Sequence, residues 1–284
     1  HLTGALPRME DLQALLQKYP KVAISWQVDV GETALELGAD YLDLSGYPVE
    51  NAEQIENLIP YLPALREVNL VGCSVSAEEV AELAEQYPDI HFICDVTIGT
   101  AHVRSDAWEM DLSGHEISDP ALLEAVLPCF RNLKRVIMCG CGIPSEEMDQ
   151  LSKRHPDIRF VWSVNLGGLE VRTDATYFIP TKYDVKVSSR DLEELKYCVD
   201  MLCVDVGHMK DVTNCEWAAY MPKLQYLILA DNPATDFSDL QYVPKLVFLE
   251  MFMTEFDQAE VLTQLKNLKD LNLGFSRIEH WEPL

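Results

Sequence analysis

The tightest constraint on this chain is a beat of 22 residues in its last third. Leu224, Leu227, Leu229, Asn232 and Ala234 stand at the same offsets as Leu246, Leu249, Met251, Thr254 and Phe256. Leu268, Leu271, Leu273, Ser276 and Ile278 repeat them once more, each set 22 residues after the one before. Leu240, Leu262 and Leu284 keep the same interval. Where apolar residues alternate with others, their side chains leave one face of an extended strand and the intervening ones leave the opposite face. So short a strand cannot bury its apolar face alone, whereas stacked copies bury it together. The Asn, Thr or Ser that follows has a short polar side chain, suited to bonding backbone groups inside a coil and closing its turn.

The N-terminal part keeps a longer beat of 68 residues: Asp43-Leu44-Ser45-Gly46 returns as Asp111-Leu112-Ser113-Gly114, Gly72-Cys73 as Gly140-Cys141, and Pro88-Asp89-Ile90 as Pro156-Asp157-Ile158. Tyr19-Pro20 lies one such interval before Tyr87-Pro88, so a partial copy stands in front. Each unit reads as three coils. The first strand carries Leu42 and Leu44, echoed by Met110 and Leu112, and a helix-like stretch follows over 52–61. The second carries Val68 and Leu70, echoed by Val136 and Met138. Ser76 and Glu79 then stand at capping-box spacing and open a helix with Val80, Leu83 and Ala84 on one face. A Tyr-Pro or His-Pro pair ends it, because proline cannot continue a helix. The third strand alternates through Ile90, Phe92, Cys94 and Val96, through Ile158, Phe160, Trp162 and Val164, and earlier through Val22, Ile24, Trp26 and Val28.

After each third strand comes a segment without helical period, Gly99 with Val103-Arg104-Ser105-Asp106-Ala107, then Gly167 with Val171-Arg172-Thr173-Asp174-Ala175. It is expected as an extended excursion or short hairpin on the outer side of the coil, whose repeated Arg and Asp tie back to the coil; a ligand clamp is the less favoured alternative. Over 178–189 the pattern frays. Pro180 stands where the Asp-Leu-Ser-Gly strand would recur, and proline is confined to edges and bulges of a sheet. Asp191 to Cys198 resumes as a helix, leading to a strand with Val204 and Val206. The inward set is expected to be Leu44, Leu70, Phe92, Leu112, Met138, Phe160, Val206, Leu229, Met251 and Leu273.

These frames resemble the leucine-rich repeat, in which Cys73 and Cys141 take the slot that Asn232 fills later. The resemblance implies an α/β fold, a curved solenoid with a parallel sheet on its concave face and helices and irregular arcs on the convex one. It is expected as one solenoid over 1–284: units of the longer period over 1–175, an irregular joint over 176–198, and coils of 22–23 residues over 199–284. Pro156-Asp157-Ile158 with Phe160 and Trp162, Val171 to Ala175, Leu195-Lys196-Tyr197-Cys198 and the coils after them are similar to multi-repeat surface proteins of Gram-positive bacteria. That narrower resemblance implies a bacterial, secreted or cell-surface protein that binds or displays. The chain departs from the usual coil at Met209, where Asn is expected, and shows no C-terminal cap.

A net charge of −25 argues against nucleic acid and anionic lipid as partners, since both demand Lys and Arg to neutralise phosphate. No run of about 18 apolar residues exists to span a membrane. No signal peptide is visible, and a start at His1 rather than Met reads as a mature or excised segment. Paired C-x-x-C spacings are missing, so Cys73 and Cys141 are expected to be buried, reduced and metal-free. No catalytic signature, cofactor motif or metal-ligand spacing of histidines occurs.

The sequence therefore reads as a non-catalytic module that binds a protein, peptide or glycan on the concave face. A structural spacer or display stalk without a ligand is the alternative, and an enzyme with a site spread over several coils is less favoured. The outward positions Tyr226, Ile228, Phe248, Glu250 and Phe252, with Ala230, are expected to form an apolar cluster. Asp205, Asp111 and Asp43 are expected to steer a cationic partner toward it. Against that stands a reading in which Phe252 folds over the turn and Tyr226 packs on a neighbour. The end from Ile278 to Leu284 stops midway through a coil, so a continuation of the chain or an end-to-end association through the uncapped C-terminus is expected.

Overall fold

The computed structural model describes residues 8–22, 25–27, 34–36, 38–117 and 119–279, with only the backbone at 9, 25–27 and 34–36. The expected inward Ile24 and Val28, and the chain end with Trp281 and Leu284, lie outside the described residues. Two compact units are formed. The first holds the described residues up to 137, with 141–143 and 151–160; the second holds 138–140, 144–150 and the described residues from 161 onward.

In the first unit the short strands Tyr41–Asp43, Glu67–Asn69 and His91–Ile93 pair in parallel, with Leu42 opposite Val68 and Val68 opposite Phe92. Glu109–Asp111 pairs in the same way with Arg135–Ile137, which in turn neighbours Arg159–Val161. The middle residue of each strand is buried, as two-residue alternation requires. Ser76 opens the helix Ala77–Gln86 with a complete capping box, its Oγ accepting from Glu79 N at 3.2 Å while Glu79 Oε2 accepts from Ser76 N at 3.0 Å. The stretch over 52–61 divides into a helical turn Ala52–Glu56 and a 3-10 turn Ile59–Tyr61, because Pro60 starts a turn more readily than it extends one.

The third strand of each long unit leaves the parallel ladder and becomes one arm of an antiparallel hairpin. Asp95–Ile98 pairs with Ala101–Arg104, and Ser163–Leu166 pairs with Leu169–Arg172. Where an Arg–Asp tie to the coil was expected, Arg104 and Asp106 pair with each other at 2.6 Å, as Arg172 and Asp174 do at 2.8 and 2.9 Å. The tie is the residue between them. Ser105, wholly buried, donates to Phe92 O and accepts from Cys94 N at 2.8 Å; Thr173, equally buried, accepts from Trp162 N at 3.2 Å. Gly99 and Gly167 turn the hairpins at φ 58° and 62°, and a Cβ there would stand 2.6 Å from Glu116 O and 2.8 Å from Lys186 O. Any other residue would clash with backbone as well as strain it.

In the second unit five strands pair in parallel: Tyr177–Phe178, Cys203–Asp205, Tyr226–Ile228, Phe248–Glu250 and Asp270–Asn272. The first has two residues only. At the matching position Leu44 N and Leu112 N donate to Asn69 O and Ile137 O, but Pro180 has no N–H to donate and turns into a 3-10 segment instead.

The residues expected inward are buried, except Leu273, which is half-buried. No following coil among the described residues covers it. Cys141 is buried, whereas Cys73 is half-buried, a second correction. Both thiols donate to a carbonyl of the coil before, Leu44 O and Leu112 O, each at 3.0 Å, and burial pushes the Cys73 thiol above its ordinary pKa. All eight cysteines are free. Asn232 does more at this slot, its Nδ2 donating to Val206 O at 3.0 Å and Met209 O at 2.9 Å. Thr254 donates to Met251 O, and Ser276 to Leu273 O. Asn232→Ala removes two buried hydrogen bonds, to carbonyls that keep one backbone partner each, and is expected to cost about 2 kcal/mol, against about 1 kcal/mol for Thr254→Val, which removes one. Urea unfolding of the two variants measures the ratio; equal losses would show that the polar slot does not hold the coils together.

Candidate functional site

On the solvent face of the five-stranded sheet, cross-strand register lines the outward residues into columns. Tyr177, Cys203, Tyr226, Phe248 and Asp270 are successive partners, as are Asp205, Ile228, Glu250 and Asn272. They face out because Val204, Leu227 and Leu249 between them are wholly buried. The Tyr226 and Phe248 rings lie 6.3 Å apart, and Asn272 Nδ2 donates to Glu250 Oε1 at 3.1 Å.

Two residues further along, Gly207, Ala230, Phe252 and Gly274 form a third column of mostly small side chains. A Cβ on Gly274 would stand 2.9 Å from the Phe252 ring, so Phe252 lies across that glycine. Its edge also meets the Phe275 ring at 5.4 Å. Phe252 therefore does fold over the turn, and with Ile228, Phe248 and Glu250 it is half-buried. Tyr226 does not pack away and remains 46% exposed, while Ala230 is buried and adds nothing to the surface.

In eight coils the residue three positions after the strand end takes a left-handed conformation. Gly46, Gly72, Gly114 and Gly140 occupy this slot in the earlier coils, at φ between 70° and 76°. In the later coils it holds His208, Asp231, Met253 and Phe275, at φ 64°, 55°, 56° and 59°. A side chain there costs roughly 1–2 kcal/mol of backbone strain that glycine avoids. Asp231 gains something in return. Lys210 Nζ at 2.6 Å and His208 Nδ1 at 3.2 Å hold its carboxyl below the usual carboxylate range. Met253 and Phe275 are 52% and 83% exposed to water. Together with Thr254 and the Glu255–Arg277 ion pair they border a shallow hollow of about 360 Å³.

Sequence reasoning missed Tyr177, Met253 and Phe275. Tyr177 falls in the frayed joint, and the other two lie beyond the strand, where alternation gives no orientation. The readable signal was the slot itself, glycine in four coils and bulky apolar residues in two.

Of the acidic residues expected to steer a partner, Asp205 lies on this sheet, whereas Asp43 and Asp111 lie on the sheets of the first unit. Each carboxylate closes the turn after its own strand, accepting from Ser45 N at 3.0 Å, Ser113 N at 2.9 Å and Gly207 N at 3.1 Å. Asn69 and Asn272 make the same bond with Val71 N and Gly274 N. Bonds from the Ser45 hydroxyl and backbone keep the Asp43 carboxyl below its ordinary pKa. Among the described residues no group of three or more His, Cys, Asp or Glu is placed to hold a metal ion.

No family model matches this chain, and no curated protein matches it. Solved structures similar to it include two internalins of Listeria monocytogenes. One, internalin C2, is 14% identical over 86% of this chain and 75% of its own, with a TM-score of 0.31. The other is 18% identical over 95% and 75%, with a TM-score of 0.32. A leucine-rich repeat protein of Leptospira interrogans is 13% identical over 77% and 69%, with a TM-score of 0.30. In this chain itself, the leucine-rich frame folds into stacked coils with parallel, in-register strands.

Phe275→Gly and Met253→Gly relieve backbone strain and remove little buried surface, so each is expected to leave stability within about 1 kcal/mol or to raise it. Phe256→Ala, at a wholly buried position, is expected to cost about 3–5 kcal/mol. Thermal or urea unfolding separates the two classes. A loss of several kcal/mol at Phe275 would place it in the core.

Proposed function

We propose that this chain is a non-catalytic binding module of a surface or secreted protein, which holds a protein or peptide on the concave, sheet side of its second unit. The observation that carries this reading is the pair Met253 and Phe275. Both accept left-handed backbone strain at a slot where glycine serves elsewhere, and both turn an apolar side chain to water. Strained positions of this kind persist where they serve function. Beside them lie Phe252, Phe248, Ile228 and Tyr226, giving a contiguous aromatic and aliphatic surface of the sort that anchors partners. Asp205, Glu250 and Asp270 interleave with it, which favours a partner bearing Lys or Arg next to apolar side chains.

For the first unit the spacer reading has an observation of its own. Glycine fills its left-handed slot at Gly46, Gly72 and Gly114, so no apolar side chain is turned to water there.

Peptides selected from a random display library on the immobilised chain are expected to combine basic with aromatic or aliphatic residues, and to bind less tightly as salt rises. The double variant Phe248→Ser with Phe252→Ser is expected to lower their affinity at least about tenfold, the equivalent of roughly 1.4 kcal/mol, with the melting temperature nearly unchanged. Retained affinity in a folded double variant would remove the site from this face.

A further inference from the structure

The two-stranded hairpin of the second unit has a free edge, and that edge borders a cavity. Leu169–Arg172 pairs on one side only, with Ser163–Leu166. Thr173 N donates to Trp162 O, which fixes the alternation of the ladder: the pair 162/173 is hydrogen-bonded, as are Val164/Val171 and Leu166/Leu169. In an antiparallel pair the residues between these turn their backbone groups away from the partner strand. Glu170 N–H and C=O therefore face outward, and Glu170 makes its one described bond through its side chain, Oε1 accepting from Asn165 Nδ2 at 3.0 Å. Along this strand, and touching no residue of Ser163–Leu166, runs a cavity of about 510 Å³. Tyr177 and Tyr183 wall it, 57% and 61% exposed, and buried Phe178 floors it.

We infer that this cavity, which meets the sheet face only at Tyr177, is a second binding site in which a short extended peptide adds to the Leu169–Arg172 edge as a third antiparallel or parallel strand. The chemistry selects the occupant. An outward N–H and C=O on one residue, spaced as a strand spaces them, are met together by a peptide backbone in extended form and leave an unmet pair otherwise. The volume lies within the 300–1,000 Å³ usual for ligand clefts. The charges about the rim balance: Arg172 is paired with Asp174, and the carboxylate of Glu170 is offset by the ammonium of Lys182, whose Nζ lies over the Tyr177 ring at 5.5 Å. A neutral segment therefore fits, with alternate side chains set against Tyr177 and Tyr183 and the others directed to water. This differs from the basic partner expected on the sheet face.

The test is a display selection of random ten-residue peptides on the full chain, with Glu170→Pro as the counter-selection target. Proline on the unpaired side of an edge strand removes the outward N–H and the exposed side-chain bond to Asn165 but no ladder bond, so the fold is expected to persist. Neutral, β-branched or aromatic peptides are expected to be enriched, and Glu170→Pro and Tyr183→Ala are each expected to weaken them about tenfold. Should Glu170→Pro fail to fold, the same contact is read on the unaltered chain. N-methylation at alternate residues of the selected peptide is expected to abolish binding in one phase and spare it in the other, and exchange of the Glu170 amide is expected to slow when peptide is bound. No enrichment, equal binding of both N-methylated forms, or unchanged Glu170 exchange would overturn the proposal. Peptides lost through Phe248→Ser with Phe252→Ser but retained by Glu170→Pro and Tyr183→Ala would assign binding to the sheet face alone.

Discussion

Everything in this structure depends on how one coil is fastened to the next at its inner turn. Backbone bonds run from strand to strand, but they need the turn beyond each strand to bring the chain round at the right height. A single inward slot does that work with four different chemistries. Asn232 donates twice, to Val206 O and Met209 O. Cys73 and Cys141 donate once, through sulfur, to the coil before. Thr254 and Ser276 donate to carbonyls of their own coils, Met251 O and Leu273 O, and Ser276 Oγ also reaches Met251 O at 3.3 Å. Met209 has no polar group to offer and simply fills space, and its coil is stitched by the Asn232 of the next one, which takes Met209 O. A coil can thus forgo its own polar residue when its neighbour supplies two bonds.

The same fastening explains where the parallel ladder stops. A third strand that continues into a hairpin commits its next residues to antiparallel pairing, so Cys94 and Trp162 bond to Ser105 and Thr173 instead of to another coil. The described residues accordingly form three parallel sheets and three two-stranded antiparallel ones. Pro180 works at smaller scale by the same rule. One missing N–H shortens a strand to two residues, and the backbone turns at once.

Period was the legible part of the sequence, because burial obeys it: alternation placed Leu44, Phe92, Val206 and Leu229 correctly inside. Pairing was less legible. Arg104 and Asp106 look like the conspicuous residues of their segment, yet the wholly buried Ser105 fastens it, since a small hydroxyl can reach two backbone groups where a guanidinium would have to be desolvated. The half-burial of Leu273 was hidden for a different reason, because it depends on what stands beyond its coil and not on its own frame. On the solvent face of the sheet, strand alternation gave the outward orientation of Tyr226 and Phe248. It gave no orientation for Met253 or Phe275, whose exposure follows from a positive φ that no hydropathy pattern carries.

That left-handed slot separates fold from function more sharply than the strands do. The turn requires φ near 60–75° in coil after coil, and glycine meets the requirement without strain in four of them. Wherever another residue stands there, its backbone cost must be offset by something its side chain does. Asp231 has that compensation within the fold, in bonds to Lys210 and His208. Phe275 touches the edge of Phe252 and otherwise meets water over 83% of its surface, so contacts within the chain offset little of the cost. Burial of that ring against a partner would supply what the fold does not, at roughly 25 cal/mol for each Å² removed from water. The backbone conformation is the same in both coils, and the two side chains differ in what they meet: two ion-pair partners at Asp231, one ring edge and water at Phe275.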